Sequence, residues 1–447
     1  MSRIGIIGDN SLEYIETLID IWNDGDCAVL FDKNIPHAKA VEMIREAGVQ
    51  KCFVDDRIFK RWDLSNEEKG YIVPYHPNTS HSTLLTENIY NKFQINYSSS
   101  EAVILYSSGT TGTAKGIILS HFAINTNADA IIEYMNLTSK DCIYLAKPLY
   151  HSSTLTGELL VALKTRIKLV VSPVIVPPRF ILNQICTYKA SILCLNPYLL
   201  ELLVQGYYKN KSNFDISSLK KIYVSGSVLY NSLREMARCT FQNVDIFNVY
   251  GLSEAGPRVS AQRDECCNSN SVGKPVNGVK VIIVREDGKV ANEGEYGIVH
   301  ISTPCVYNGY ISGITKNKTL YKDWLNTGDI GFWDEFGELH IVGRCDDIIT
   351  INSHKIFPSD IETVISNSFD INACVVSKTT KNGREFLCCV YEGAVLSYNE
   401  FVEKIKDKLL PYEIPRYFVQ CNNLPRNANG KISREAVTKL IVEQIHN

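Results

Sequence analysis

Tyr106-Ser107-Ser108-Gly109-Thr110-Thr111-Gly112-Thr113-Ala114-Lys115-Gly116 is the stretch on which the reading of this chain turns. The apolar run at 102–106 leads into it and reads as a buried strand. Glycines let the backbone fold over an anion. Ser and Thr hydroxyls and backbone N–H groups donate to the anion's oxygens, and Lys115 adds charge. The stretch fails as a Walker A loop, because Gly116 stands after Lys115 where Ser or Thr is needed. A plain surface loop gives no reason for a Gly-Thr-Thr-Gly core with a lysine at a fixed offset.

Upstream, short apolar runs alternate with amphipathic stretches. Residues 3–7, 28–32 and 51–54 read as strands, and 12–22 and 38–47 as helices. That alternation predicts β-α-β units and a parallel sheet. Gly5-Ile6-Ile7-Gly8 lacks the spacing and third glycine of a dinucleotide fingerprint, and reads as a strand end. Residues 56–100 are polar and loop-rich. Downstream, 167–171, 192–195, 221–224 and 244–248 continue the strand pattern. From about Ser271 the texture changes. Runs at 279–284, 297–301 and 338–342 lie between Gly/Asp turns, which predicts antiparallel sheet. A new pattern begins near Asp346. It has a helix at 358–366, strands at 373–377 and 386–391, and helices at 398–409 and 434–445. A domain boundary is expected near Arg344–Asp347.

The 447 residues carry 46 Lys plus Arg against 49 Asp plus Glu, a net charge of −3. That balance gives no basic footprint, so no nucleic-acid partner is expected. With 45% hydrophobic residues the chain is too apolar for a disordered one. No apolar run approaches 18 residues, so no membrane span is expected, and the start shows no secretory pattern. None of the fourteen cysteines forms a C-x-x-C pair, and Cys266–Cys267 and Cys388–Cys389 are adjacent. They read as free thiols of a cytoplasmic protein, with no zinc-ligand spacing.

Three further motifs carry chemistry. Asn248-Val249-Tyr250-Gly251-Leu252-Ser253-Glu254 follows a strand. Its aromatic can stack on a base, and its acid can hold Mg²⁺ beside a phosphate; alone, it also reads as a loop with a solvated Glu. Trp324-Leu325-Asn326-Thr327-Gly328-Asp329 precedes Gly343-Arg344. A buried Asp can grip both ribose hydroxyls, and an Arg can neutralise phosphate with a directional fork; the bland reading of Thr-Gly-Asp is a turn. Leu424-Pro425-Arg426-Asn427-Ala428-Asn429-Gly430-Lys431 makes a tight loop that can present one lysine.

In this order and spacing the four motifs resemble those of the adenylate-forming superfamily: acyl- and aryl-CoA synthetases, peptide-synthetase adenylation domains and luciferases. The likeness covers nearly the whole chain, and Ser271-Val272-Gly273-Lys274-Pro275 and Gly294-Glu295-Tyr296-Gly297 resemble intervening signatures. It implies an α/β fold with a large N-terminal domain of stacked mixed and parallel sheets, helices and a β-rich subdomain. A small α+β C-terminal domain would follow a hinge, dividing the chain at 1–344 and 345–447. It implies ATP-dependent activation of a carboxylic acid as acyl-adenylate with release of pyrophosphate, then transfer to a thiol.

By the same resemblance, Ser107, Thr110, Thr111 and Lys115 would hold the β- and γ-phosphates. Tyr250 would stack on adenine and Asn248 would bond its edge. Ser253 would contact the α-phosphate, where Thr is commoner, and Glu254 would bind Mg²⁺. Gly226 would line the adenine and acyl pockets through backbone. Asp329 would hold the ribose with Arg344 nearby. Lys431 would reach the α-phosphate and carboxylate oxygens, and Asp346 would be the hinge. Two departures stand out. Asn352-Ser353-His354 puts Ser353 where a glycine usually lets a pantetheine arm pass, and only about a hundred residues precede the phosphate loop, fewer than is usual. Ala114 replaces a common proline.

Pro148-Leu149-Tyr150-His151 resembles the acyl- and aryl-CoA ligase version of its region. The following Ser152-Ser153-Thr154-Leu155 lacks the Asp that pairs an α-ammonium. The expected substrate is therefore an aryl or medium acyl acid without an α-amine. His151 either gates the acyl pocket or packs as a satisfied histidine. The acceptor is expected to be coenzyme A. The alternative is the phosphopantetheine of an acyl or peptidyl carrier protein, which ends in the same arm.

Overall fold

The computed structural model of the chain describes residues 1–78, 81–107, 115–174, 177–209, 213–263, 270–312, 324–351, 354–369, 371–381, 384–426 and 431–446. Thr110, Thr111 and Ser353 lie outside them, as do residues 427–430, where the sequence predicts a turn.

The first sheet is built on Cys27–Phe31, whose five residues are all buried. A strand apolar on both faces belongs in the middle of a parallel sheet. It pairs in parallel with Arg3–Ile7 on one side and Glu101–Ser107 on the other. Lys51–Asp55 and Ile72–Tyr75 extend the sheet, and Lys115–Ser120 and Gly309–Tyr310 add antiparallel strands at the far edge. The helix Leu12–Asn23 covers one face with Tyr14, Ile15, Leu18, Ile19 and Trp22, and Ser11 caps it by accepting from the Tyr14 N–H. The region 56–100 is richer than its composition suggests. It supplies Ile72–Tyr75 to this sheet and Thr83–Leu84 to the next. Pro74 is tolerated because that strand is the sheet's edge, where a missing N–H breaks no ladder.

The second sheet has a parallel centre: Asp245–Tyr250, Lys221–Val224, Ile192–Leu195, Cys142–Tyr144 and Lys168–Val171. Antiparallel segments flank it at Ser260–Ala261, Lys274–Pro275 and Thr83–Leu84. A third, antiparallel sheet runs Lys280–Val284, Gly297–Ser302, Leu325–Trp333, Leu339–Arg344, as the change of texture after Ser271 predicts.

The C-terminal part has its own core. Ile371–Lys381, Arg384–Gly393 and Tyr417–Cys421 form a mixed sheet, packed by the helices Pro358–Ser368, Tyr398–Ile405 and Arg434–His446. The helix predicted at 398–409 is shorter, giving way to turns after Ile405. This is a mixed α/β architecture with a large N-terminal and a small C-terminal part. The twelve described cysteines are unpaired thiols, most of them buried.

Candidate active site

Strand register assembles the site. Lys221–Val224 and Asp245–Tyr250 run in parallel, with Val224 opposite Asn248. The residues leaving both strands therefore emerge at one carboxyl edge, where open α/β sheets take ligands. One exit is Ser225-Gly226, with Gly226 at φ +97°. The other is Gly251 to Glu254. Gly251 is held by close approach: a Cβ there would stand 1.7 Å from the Pro257 carbonyl oxygen. Gly251→Ala must displace that backbone, so the variant is expected to lose at least about 3 kcal/mol of stability, read by urea denaturation. An unchanged midpoint would contradict the geometry.

Asn248 is buried and its amide donates to the Ser271 carbonyl at 3.0 Å. Gln262 holds the same loop, accepting from the Asn248 N–H and donating to the Ser271 carbonyl. The amide to which the resemblance gives a base edge fastens the loop of Ser271.

Leu325–Trp333 and Leu339–Arg344 place Asp329 directly opposite Arg344 in an antiparallel register. The guanidinium donates to the Asp329 carboxylate at 2.9 Å and to the Thr327 carbonyl at 2.9 Å. The Tyr250 hydroxyl donates to the other Asp329 oxygen. Burial pushes the Asp329 carboxyl above its ordinary value, while Arg344 and the Tyr250 hydroxyl pull against that rise. Thr327-Gly328-Asp329 lies within the strand Leu325–Trp333, so the bland reading of it as a turn does not hold; Gly328 stands at φ +71°.

Glu254 accepts a 2.8 Å hydrogen bond from the Tyr310 hydroxyl. Lys115 lies over the same Tyr310 ring, its Nζ 5.8 Å from the centroid. Tyr310 thus joins the Glu254 carboxylate to Lys115. Ser107 ends the strand that pairs with Lys115. Ser253 and Ser152 share a hydroxyl–hydroxyl contact of 2.7 Å. His151, next to Ser152, packs its ring against Tyr150 at 4.8 Å.

Lys431 arrives from the far end of the chain. A Cβ on Gly226 would lie 3.9 Å from its Cε. The residue keeps an exposed face, yet protein crowds its ammonium. That desolvation lowers its pKa; Asp329 pulls it back up and Arg344 pushes it further down. Asp346 sits exposed in the short helical turn Cys345–Asp347, between the third sheet and the C-terminal part.

Sequence reasoning missed Tyr310, Ser271 and Gln262 as supports of the site. Ser152 was in view, but nothing local tied it to Ser253. The donor set suits a hard divalent cation. Mg²⁺ takes one or two carboxylates and fills its other positions with phosphate oxygens and water, so Glu254 suffices from the protein.

A family model described as AMP-binding enzyme matches residues 1–311. Indoleacetate–CoA ligase of Aromatoleum aromaticum is 27% identical over 354 residues, covering 76% of this chain and 68% of that protein. 2-Succinylbenzoate–CoA ligase of Bacillus cytotoxicus is 26% identical over 458 residues, covering 99% and 89%. The crystal structure of ATP-bound MatB from Rhodopseudomonas palustris has the same fold, with a TM-score of 0.86 at 20% identity over 100% of this chain and 90% of that one. The chain belongs to the AMP-binding enzyme family, the adenylate-forming enzymes, as an acid–thiol ligase of the AMP-forming kind.

Proposed function

We propose that this protein joins ATP and an aryl or medium acyl acid without an α-amine as an acyl-adenylate, and passes the acyl group to coenzyme A. One observation carries the reading. Gly226, Tyr250, Asp329, Arg344 and Lys431 come from four distant parts of the chain and meet in one place.

In the first half-reaction a carboxylate oxygen attacks the α-phosphorus, and the bond to pyrophosphate breaks. Little covalent help from protein is needed, so positioning and charge neutralisation dominate. Asp329 takes the ribose hydroxyls, held in place by Arg344. Tyr250 presents its ring to the base. Ser253 reaches the α-phosphate from its contact with Ser152. Lys115, Ser107, Thr110 and Thr111 hold the β- and γ-phosphates. Lys431 neutralises charge on the α-phosphate as its oxygens crowd the attacking carboxylate. Glu254 would hold Mg²⁺, which when bound would supply further neutralisation of phosphate charge. In the second half-reaction the thiol sulfur attacks the acyl carbon and AMP leaves. For this the small part, 345–447, turns about Asp346 relative to 1–344.

ATP–pyrophosphate exchange with Mg²⁺, over aryl, short, medium and long-chain acids and several amino acids, tests the reading. Exchange with an acid lacking an α-amine supports it, and exchange with amino acids alone overturns the substrate assignment. Turnover with a purified carrier protein but not with coenzyme A would move the acceptor to the phosphopantetheine arm. Glu254→Gln keeps the shape but removes the charge. It should slow exchange by roughly 100-fold and raise the Mg²⁺ needed for half-maximal rate; an unaltered Mg²⁺ dependence would remove Glu254 from the metal.

A further inference from the structure

Neither half-reaction assigns a task to Tyr310, yet it touches both Glu254 and Lys115. The segment that carries it is fixed by backbone on two sides. Gly309–Tyr310 pairs in antiparallel with the strand that begins at Lys115, with Tyr310 opposite Ile117. The Asn308 N–H donates to the Ile118 carbonyl at 2.8 Å, and the Ile311 N–H to the Gly116 carbonyl at 2.9 Å. Ile311 also fills the space over Gly116, where a Cβ would stand 2.4 Å from Ile311 Cδ1. On the other side the Tyr307 N–H donates to the Glu254 carbonyl at 3.0 Å. A Cβ on Gly256 would stand 2.8 Å from Cys305 Cβ, so residues 305–311 run packed against the chain at 254–256.

These anchors decide where the Tyr310 side chain goes. Its ring packs on Tyr307 with centroids 4.9 Å apart, and its hydroxyl donates to Glu254 Oε1 at 2.8 Å. Lys115 Nζ lies 5.8 Å from the centroid of the same ring. A phenol with an ordinary pKa of about 10 is a donor near neutrality. Donation to one carboxylate oxygen fixes the plane of the group and leaves the second oxygen to another partner. Mg²⁺ demands near-ideal octahedral geometry, so the direction of a carboxylate ligand counts as well as its charge. The face of an aromatic ring attracts an ammonium within about 6 Å.

We propose that Tyr310 is a positioning residue for adenylation: its hydroxyl orients Glu254 toward the cation, and its ring keeps the Lys115 ammonium on the same side. The proposal rests on the adenylation reading above and on Glu254 as the metal's ligand. A residue that only braced the fold would weaken ATP binding with and without metal alike. A hydroxyl that orients the carboxylate affects the metal-dependent part.

The test compares the full chain with Tyr310→Phe, which keeps the ring and loses the donor. ATP is titrated calorimetrically in EDTA and in Mg²⁺, and ATP–pyrophosphate exchange is followed against Mg²⁺ concentration with an acid the protein activates. The Mg²⁺ needed for half-maximal exchange should rise by roughly tenfold, with the rate recovering as Mg²⁺ is raised. Affinity for ATP in EDTA should stay within about twofold, because the ring still faces Lys115, while the gain in affinity on adding Mg²⁺ shrinks. Tyr310→Leu, which loses the ring too, should also weaken ATP in EDTA. In a Glu254→Gln background the Phe substitution should leave the Mg²⁺ requirement where it was, since the carboxylate it orients is gone. An unchanged Mg²⁺ requirement in Tyr310→Phe, or an equal rise in both backgrounds, overturns the proposal. So does a uniform fall in rate at every Mg²⁺ concentration with weaker ATP binding in EDTA, which would mark Tyr310 as a brace. Absence of exchange with every acid on the unaltered chain overturns the adenylation reading, and the calorimetric comparison then still decides whether Tyr310 serves the metal.

Discussion

Lys431→Ala is expected to slow adenylate formation by roughly 100- to 1,000-fold while leaving ATP affinity within about threefold. The asymmetry follows from where the lysine sits. In the proposed mechanism nucleotide recognition falls to the Tyr250, Asp329 and Arg344 cluster, which is held together without Lys431. Lys431 lies across Gly226, and in the proposed mechanism it meets charge that builds only as pyrophosphate departs. A group whose interaction strengthens in the transition state affects the rate more than binding. Exchange kinetics and calorimetric titration with ATP separate the two effects; a variant that exchanges at the parent rate sinks the assignment. The pH profile gives an independent check. The folded protein holds the Lys431 pKa below its ordinary value, chiefly by desolvation. Its cationic form is full at lower pH and is lost as pH rises through the depressed value. The alkaline fall in rate should therefore come below the usual lysine range near about 10.4, and should vanish from the residual activity of Lys431→Ala.

The second large effect is on stability. Glu362, 2% exposed on the helix Pro358–Ser368, accepts from both ends of the Arg434 fork at 2.8 and 2.9 Å. It also accepts the Val376 N–H at 2.8 Å and the Tyr230 hydroxyl at 3.3 Å. Glu362→Ala leaves three donors from three elements without their acceptor. The expected loss is about 2–4 kcal/mol, moderated because Arg434 keeps partial exposure and Asp347 at 3.6 Å. Hydrogen exchange should locate the loss in Ile371–Lys381 and Arg384–Gly393, with the parallel sheets unaffected. Uniform loss over the whole chain, or none, would contradict this account. Tyr230 stands just before the helix Asn231–Thr240 of the large part, so the same carboxylate ties the two parts together. Turning about Asp346 would part Tyr230 from Glu362.

The strands at 3–7, 28–32 and 51–54 were legible because buried parallel strands are short apolar runs between amphipathic helices. The edge strand Ile72–Tyr75 was not, because its proline and half-polar face look like loop. Arg344 was legible as a companion of Asp329 by motif, though only the antiparallel register explains why they touch. The phosphate-loop hydroxyls Thr110 and Thr111 lie outside the described residues and remain assigned by resemblance.

By itself the sequence determined the strand–helix alternation, the order of the four motifs and the residue types at the site. Each of these is written in a window of about ten residues, through periodicity, turn chemistry and spacing. Tertiary structure decided the partners: Tyr310 under Glu254, Ser152 against Ser253, and Lys431 over Gly226. Those pairs come from segments far apart in the chain, brought together by sheet register and packing, which no local pattern encodes. Burial then set their charge states, because desolvation depends on everything that surrounds a group and not on its neighbours in sequence.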